Sequence, residues 1–125
     1  MDITVSNLTN EPIYVQIANQ IKKQIINQQL KPGESLPSIR KLAADLHISV
    51  ITTKRAYDEL EKEGFIVTVV GKGCFVSREN MEFIREKKIR MVEEKLSEVI
   101  KDSRVLNIGL QGLKMMIEVL YREGV

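Results

Sequence analysis

Cysteine, histidine and aromatic residues are all scarce in this 125-residue chain, and each shortage removes a class of function. The single cysteine, Cys74, excludes an internal disulfide and a cysteine-based zinc cage, and its strand-like surroundings predict a packing role. With a single histidine, His47, and no second ligand or base beside it, neither metal binding nor enzyme catalysis is expected. Three tyrosines and three phenylalanines are too few for a platform that stacks single-stranded RNA bases. Net charge is only +2, so any affinity for nucleic acid must come from where charges sit. No uncharged apolar run approaches the ~18 residues needed to cross a bilayer, and the N-terminus lacks a basic stretch ahead of an apolar one. The expectation is a cytoplasmic protein without membrane association, cofactor or metal.

Hydrophobic residues at 43% and charged residues at 29% suit a globular domain. Ile13, Ile17, Ile21 and Ile25 recur at helical spacing, which predicts a helix from Pro12 to Gln29, stopped by the Lys31-Pro32-Gly33-Glu34 turn. Ser38 caps a second, short helix whose buried face is Ile39, Leu42, Ala43 and Leu46. His47-Ile48 forms a turn, and Ser49 caps a third helix that Gly64 ends near Glu63. The pattern then becomes strand-like: 65–70 pairs with 74–76 across a Gly71-Lys72-Gly73 tip. Three helices followed by a two-stranded hairpin is the order of a winged helix-turn-helix. The fold class is therefore mainly α with a small β-wing, followed by a short two-helix dimerisation region. The boundaries are 1–78 for the winged domain and 79–125 for the tail.

In a helix-turn-helix the second helix lies in the major groove and its N-terminal residues reach base edges. Helical phase puts Thr53, Ala56, Tyr57 and Leu60 inward, which turns Val50, Ile51, Thr52, Lys54, Arg55 and Asp58 outward or sideways. Val50 and Ile51 offer no hydrogen bonds but can pack on thymine methyl groups, and Thr52 can use its hydroxyl or its methyl. The other reading has Val50 and Ile51 packing under the wing or against the first helix. From Leu36 to Tyr57 the bases are Arg40, Lys41, Lys54 and Arg55 against one acid, Asp45, while Asp58, Glu59, Glu61 and Glu63 follow. Such polarity sets cations toward phosphates. Gly71, Lys72 and Gly73 can bring backbone N–H groups and one ammonium close to DNA.

The motifs Pro12-Ile13-Tyr14, Lys31-Pro32-Gly33, Leu36-Pro37-Ser38-Ile39-Arg40, Ala56-Tyr57-Asp58-Glu59-Leu60-Glu61 and Gly71-Lys72-Gly73-Cys74-Phe75-Val76 resemble the GntR family of bacterial regulators over residues 10–77. The helical remainder resembles that family's YtrA-like branch. The resemblance implies DNA contact by Arg40, Ser49, Val50, Ile51, Thr52, Lys54 and the wing at Gly71, and repression of a neighbouring transporter operon. Many members carry Arg and Asn where Val50 and Ile51 stand, so base preference at that step should differ here.

The tail from Glu79 onward balances nine bases against nine acids and is no DNA arm. Its apolar seam includes Ile84, Val92, Leu96 and Val99, and continues at Leu113, Ile117 and Leu120. This is more apolar surface than one helical hairpin hides. A homodimer reading a pseudo-palindromic operator on double-stranded DNA is the expectation; no small-molecule effector is assigned. The rival is a winged-helix protein-interaction module, which would not need the basic patch at Arg40, Lys54 and Arg55.

Overall fold

In the computed structural model, residues 1–79 and 81–124 are described; Asn80 and Val125, both within the expected tail, lie outside the described residues. The order is α1 (Ile13–Ile26), α2 (Ile39–Leu46), α3 (Val50–Lys62), β1 (Ile66–Val69), β2 (Gly73–Val76), α4 (Met81–Val105) and α5 (Leu110–Arg122). This is the expected mainly helical chain with a small two-stranded wing.

Two compact units divide the chain, Met1–Lys88 and Ile89–Val125. In the first, α3 packs against α1, α2 and β1. The isoleucine stripe of α1 supplies Ile17, Ile21 and Ile25, which meet Leu42, Ala43, Ala56, Tyr57 and Leu60 in a core closed by Phe65, Ile66 and Val76. Helix α1 stops at Ile26, three residues before the expected Gln29, because Gln28 turns left-handed (φ 61°) and the amides of Gln29 and Leu30 fold back onto the Gln24 carbonyl. That turn sends Leu30 into the core.

The wing is a two-stranded antiparallel hairpin with Ile66 opposite Val76 and Val69 opposite Gly73. Its second strand has another neighbour that the sequence reading assigned only to a turn. Gly33 donates to the Val76 carbonyl (2.8 Å), Val76 to the Glu34 carbonyl (2.9 Å) and Leu36 to the Cys74 carbonyl (2.9 Å), with a bridge between Ser35 and Phe75. This bracing satisfies the free edge of β2.

The N-terminal segment is held by a feature absent from the sequence reading. Gln16, Gln20 and Gln24, one turn apart on α1, grip the backbone of alternate residues. Gln16 accepts from the Ser6 amide and donates to its carbonyl (both 2.9 Å). Gln20 does the same at Thr4 (3.0 and 2.6 Å), and Gln24 donates to the Asp2 carbonyl (2.7 Å).

The first two turns of α4 belong to the winged domain. Phe83 meets Phe65 edge-on (centroids 5.5 Å), Lys88 donates to the Asn27 side chain, and Ile84 is buried. Contacts therefore divide the chain after Lys88, ten residues beyond the expected 78/79 boundary. Ile84, expected in a dimer seam, lies within the first unit and is only 7% exposed, so it offers little surface to a partner copy.

In the second unit, α4 from Ile89 leads to α5 through a turn in which Asn107 is left-handed and Ile108 donates to the Ser103 carbonyl (2.8 Å). Helix α5 is amphipathic, yet none of its residues is buried. Val92, Leu96, Val99, Ile117 and Leu120 are all exposed, and Leu113 is half-buried.

Candidate nucleic-acid interface

Two serine caps and one left-handed residue build the helix-turn-helix. Ser38 accepts from the Lys41 amide (3.1 Å) to start α2, leaving Arg40 in the exposed first turn. His47 ends α2 at φ 56°, and the Ile48 amide folds back to the Ala43 carbonyl (3.0 Å). Ser49 then caps α3, accepting from the Thr52 amide (3.0 Å) and donating to the Thr52 hydroxyl (2.8 Å). Both expected polar contact residues at this end, Ser49 and Thr52, thus serve first to order the helix. Thr53, fully buried, donates from its hydroxyl to the Ser49 carbonyl (3.1 Å).

Tyr57 sets the spacing of the two helices. Its buried hydroxyl donates to the Pro37 carbonyl just ahead of α2 (2.7 Å). Burial, and secondarily the charge that Cys74 would carry, push its pKa far above the ordinary value. The hydroxyl stays protonated and remains a donor. The inward face is Thr53, Ala56, Tyr57 and Leu60, as helical phase predicts.

What remains points away from the core. Ile51 is 81% exposed and stands clear of the wing and of α1, whereas Val50, at 47%, is about half covered. An exposed isoleucine on the first turn of an otherwise well-anchored helix has no role in folding. Lys54 and Arg55 flank Ile51. Lys54 pairs with Asp58 (2.8 Å), and that hydrogen bond, with the attraction of the same carboxylate, raises the ammonium pKa and keeps it charged. Arg55 lies over the Tyr14 ring of α1, its guanidinium 3.9 Å from the centroid. Lys41 is paired with Asp45 (3.1 Å).

The wing joins α3 through Thr68, whose hydroxyl donates to Glu61 (3.0 Å) and lies 3.5 Å from the Cys74 sulfur. At its tip the Lys72 amide donates to the Val69 carbonyl (3.0 Å). Gly71 (φ 78°) and Gly73 (φ 110°) take conformations that side chains resist, although a Cβ at either would meet open space. Both glycines and Lys72 are exposed. The expected contact residues therefore fall on two exposed elements of one unit, the start of α3 with the adjacent turn of α2, and the wing tip. The sequence reading turned Tyr57 inward and set Tyr14 on α1, but it missed the Tyr57 bond to Pro37 and the stack of Arg55 on Tyr14, which hold this surface in shape. Among the described residues no cluster of side chains could bind a metal, and no helix is long and apolar enough to cross a membrane.

Residues 13–76 match the family model of bacterial regulatory proteins, gntR family. The HTH-type transcriptional repressor YtrA of Bacillus subtilis is 34% identical over 116 residues, covering 93% of this chain and 89% of that one. A transcriptional regulator from Oenococcus oeni superposes with a TM-score of 0.76 at 26% identity, over 94% of this chain and 97% of its own. YtrA from Sulfolobus acidocaldarius, a GntR-family transcription factor, gives a TM-score of 0.59 at 38% identity over 76% of this chain and 97% of its own.

Proposed function

Because the chain belongs to the GntR family of bacterial regulatory proteins, which are not enzymes, we propose that it is a transcriptional repressor that binds an operator in double-stranded DNA as a homodimer. The observation that carries this reading is the exposed N-terminal turn of α3. Ile51 stands clear of the core between Lys54 and Arg55, with Arg40 exposed on α2. In the major groove Val50 and Ile51 meet thymine methyl groups, and Arg40 and Lys54 neutralise phosphates. Gly71, Lys72 and Gly73 follow the neighbouring backbone.

The second unit supports the homodimer. No residue of its α5 is buried, and the apolar residues Leu96, Val99, Ile117 and Leu120 stay exposed. A second copy of the same surface is the simplest cover, and two-fold symmetry then matches a pseudo-palindromic operator. The target that the family resemblance implies is the promoter of a neighbouring transporter operon.

Mobility shift and footprinting on the DNA upstream of the chain's own operon test the proposal. A symmetric footprint that survives random competitor is expected, and Arg40→Ala or Lys54→Ala should each flatten the salt dependence by about one counterion. Equal affinity for operator and random duplex would remove the DNA-reading role and leave a protein-interaction module.

A further inference from the structure

We propose that Tyr14 is a positioning residue, whose ring fixes the Arg55 guanidinium as a clamp for one DNA backbone phosphate rather than as a reader of bases. The proposal deepens the DNA-binding reading and rests on it.

Arg55 and Tyr14 stand 41 positions apart in sequence and come from different helices, yet the guanidinium is stacked 3.9 Å from the ring centroid. Stacking uses only the flat face of the cation. Its N–H donors point outward in the guanidinium plane, the geometry that meets two oxygens of a phosphate side by side. Among the described residues, no hydrogen bond or ion pair occupies those donors. Lys54 differs, because its ammonium is a point charge that spends one of its three donors on Asp58 and meets a phosphate without a fixed orientation.

Helical geometry gives the two cations different directions. Successive residues turn by about 100°, so Lys54 and Arg55 leave α3 on either side of Ile51. Arg55 leans toward α1, where the stack on Tyr14 shortens its reach. A tethered side chain at the flank of a recognition helix faces the wall of the groove, which is phosphate, and not its floor. Holding the side chain in place beforehand also spares the rotamer entropy that a free arginine loses on binding.

The test is a double-mutant cycle on the footprinted operator. Tyr14→Leu, Tyr14→Phe and Arg55→Gln are combined, melts verify folding, and binding is measured over a salt series and on operators with single base changes. Tyr14→Leu should weaken binding about two- to five-fold when Arg55 is present, the range of an exposed cation–π contact. It should have no such effect once Arg55 is Gln. Tyr14→Phe, which keeps the ring, should preserve the coupling to Arg55 whatever its effect on affinity. Arg55→Gln should weaken all operator variants by one common factor and reduce the salt slope by about one.

Losses at the two positions that simply multiply would overturn the positioning role. Relaxed preference at a single base pair in Arg55→Gln would make Arg55 a base reader and overturn the clamp. A wild-type protein that prefers no duplex would instead remove the DNA-binding reading itself, and the clamp with it.

Discussion

Tyr57→Phe removes one oxygen from the core and leaves the ring in place. The hydroxyl donates to the Pro37 carbonyl at 2.7 Å, and the residue is only 2% exposed, so no water replaces the lost donor directly. A hydrogen bond of this kind has a net worth of about 1 kcal/mol. For a unit of this size that corresponds to a fall in Tm of about 5 °C at neutral pH. The effect of pH has the opposite sign. Burial raises the Tyr57 pKa above its ordinary value of 10.0, so above that pH the unfolded chain releases a proton that the folded chain keeps. Wild-type stability therefore falls by about 1.4 kcal/mol per pH unit beyond 10, a loss the phenylalanine variant does not share. The deficit of the variant at neutral pH should vanish, with the two stability curves crossing at about pH 10.7. Urea denaturation of both proteins from pH 7 to 11.5 measures this directly. Parallel curves over the whole range would refute the argument, because they would mean that Tyr57 ionises as easily in the folded chain as in the unfolded one.

Gly33→Ala should cost about 1–2 kcal/mol, because Gly33 sits at φ 81°, where a side chain is strained, whereas the Arg78 guanidinium that a Cβ would meet is the end of a flexible side chain and can swing aside; an unchanged urea midpoint would contradict this. Ser49→Ala should lose about 1 kcal/mol with the α3 cap, and Ser49→Asp should recover that stability while weakening DNA binding, since its carboxylate faces phosphate. Recovery of both stability and affinity in Ser49→Asp would place that end of α3 away from DNA. The double variant Leu96→Glu/Ile117→Glu should sediment as a monomer and lose operator binding with its melting unit intact; a persistent dimer would move the interface elsewhere.

Local patterns in the sequence were enough to locate the helix-turn-helix. Serine caps, the αL stop at Gly64 and the inward phase of Thr53, Ala56, Tyr57 and Leu60 all depend on neighbours within a turn or two, and all occur as expected. Periodicity names a buried face but not its partner. Ile84 fits the apolar seam of α4 as well as Leu96 does, yet Ile84 is buried inside the winged domain while Leu96 is exposed. The stack of Arg55 on Tyr14, the reach of Tyr57 to Pro37 and the bracing of β2 by residues 33–36 involve residues far apart in sequence. Nothing in local composition signals them. The exposed positions Val50, Ile51, Lys54 and Arg55 are legible because the inward face of α3 leaves no place for them, and Arg40 because it belongs to the basic segment and to a motif of the family.

The three glutamines of α1 have a built-in length limit. Four residues of helix advance about 6.0 Å, whereas two residues of extended chain advance about 6.6–6.8 Å. With ideal rises, each successive rung between Gln16, Gln20 and Gln24 and the backbone at Ser6, Thr4 and Asp2 would slip by more than half an ångström, an offset that the side chains absorb over three rungs. Gln28 continues the four-residue spacing but lies past the helix end, in a left-handed turn. The N-terminal strap is thus fastened at three points and at no natural fourth. Lengthening α1 would not hold it more firmly, whereas replacing the central Gln20 with leucine would release its middle and leave only the two ends attached.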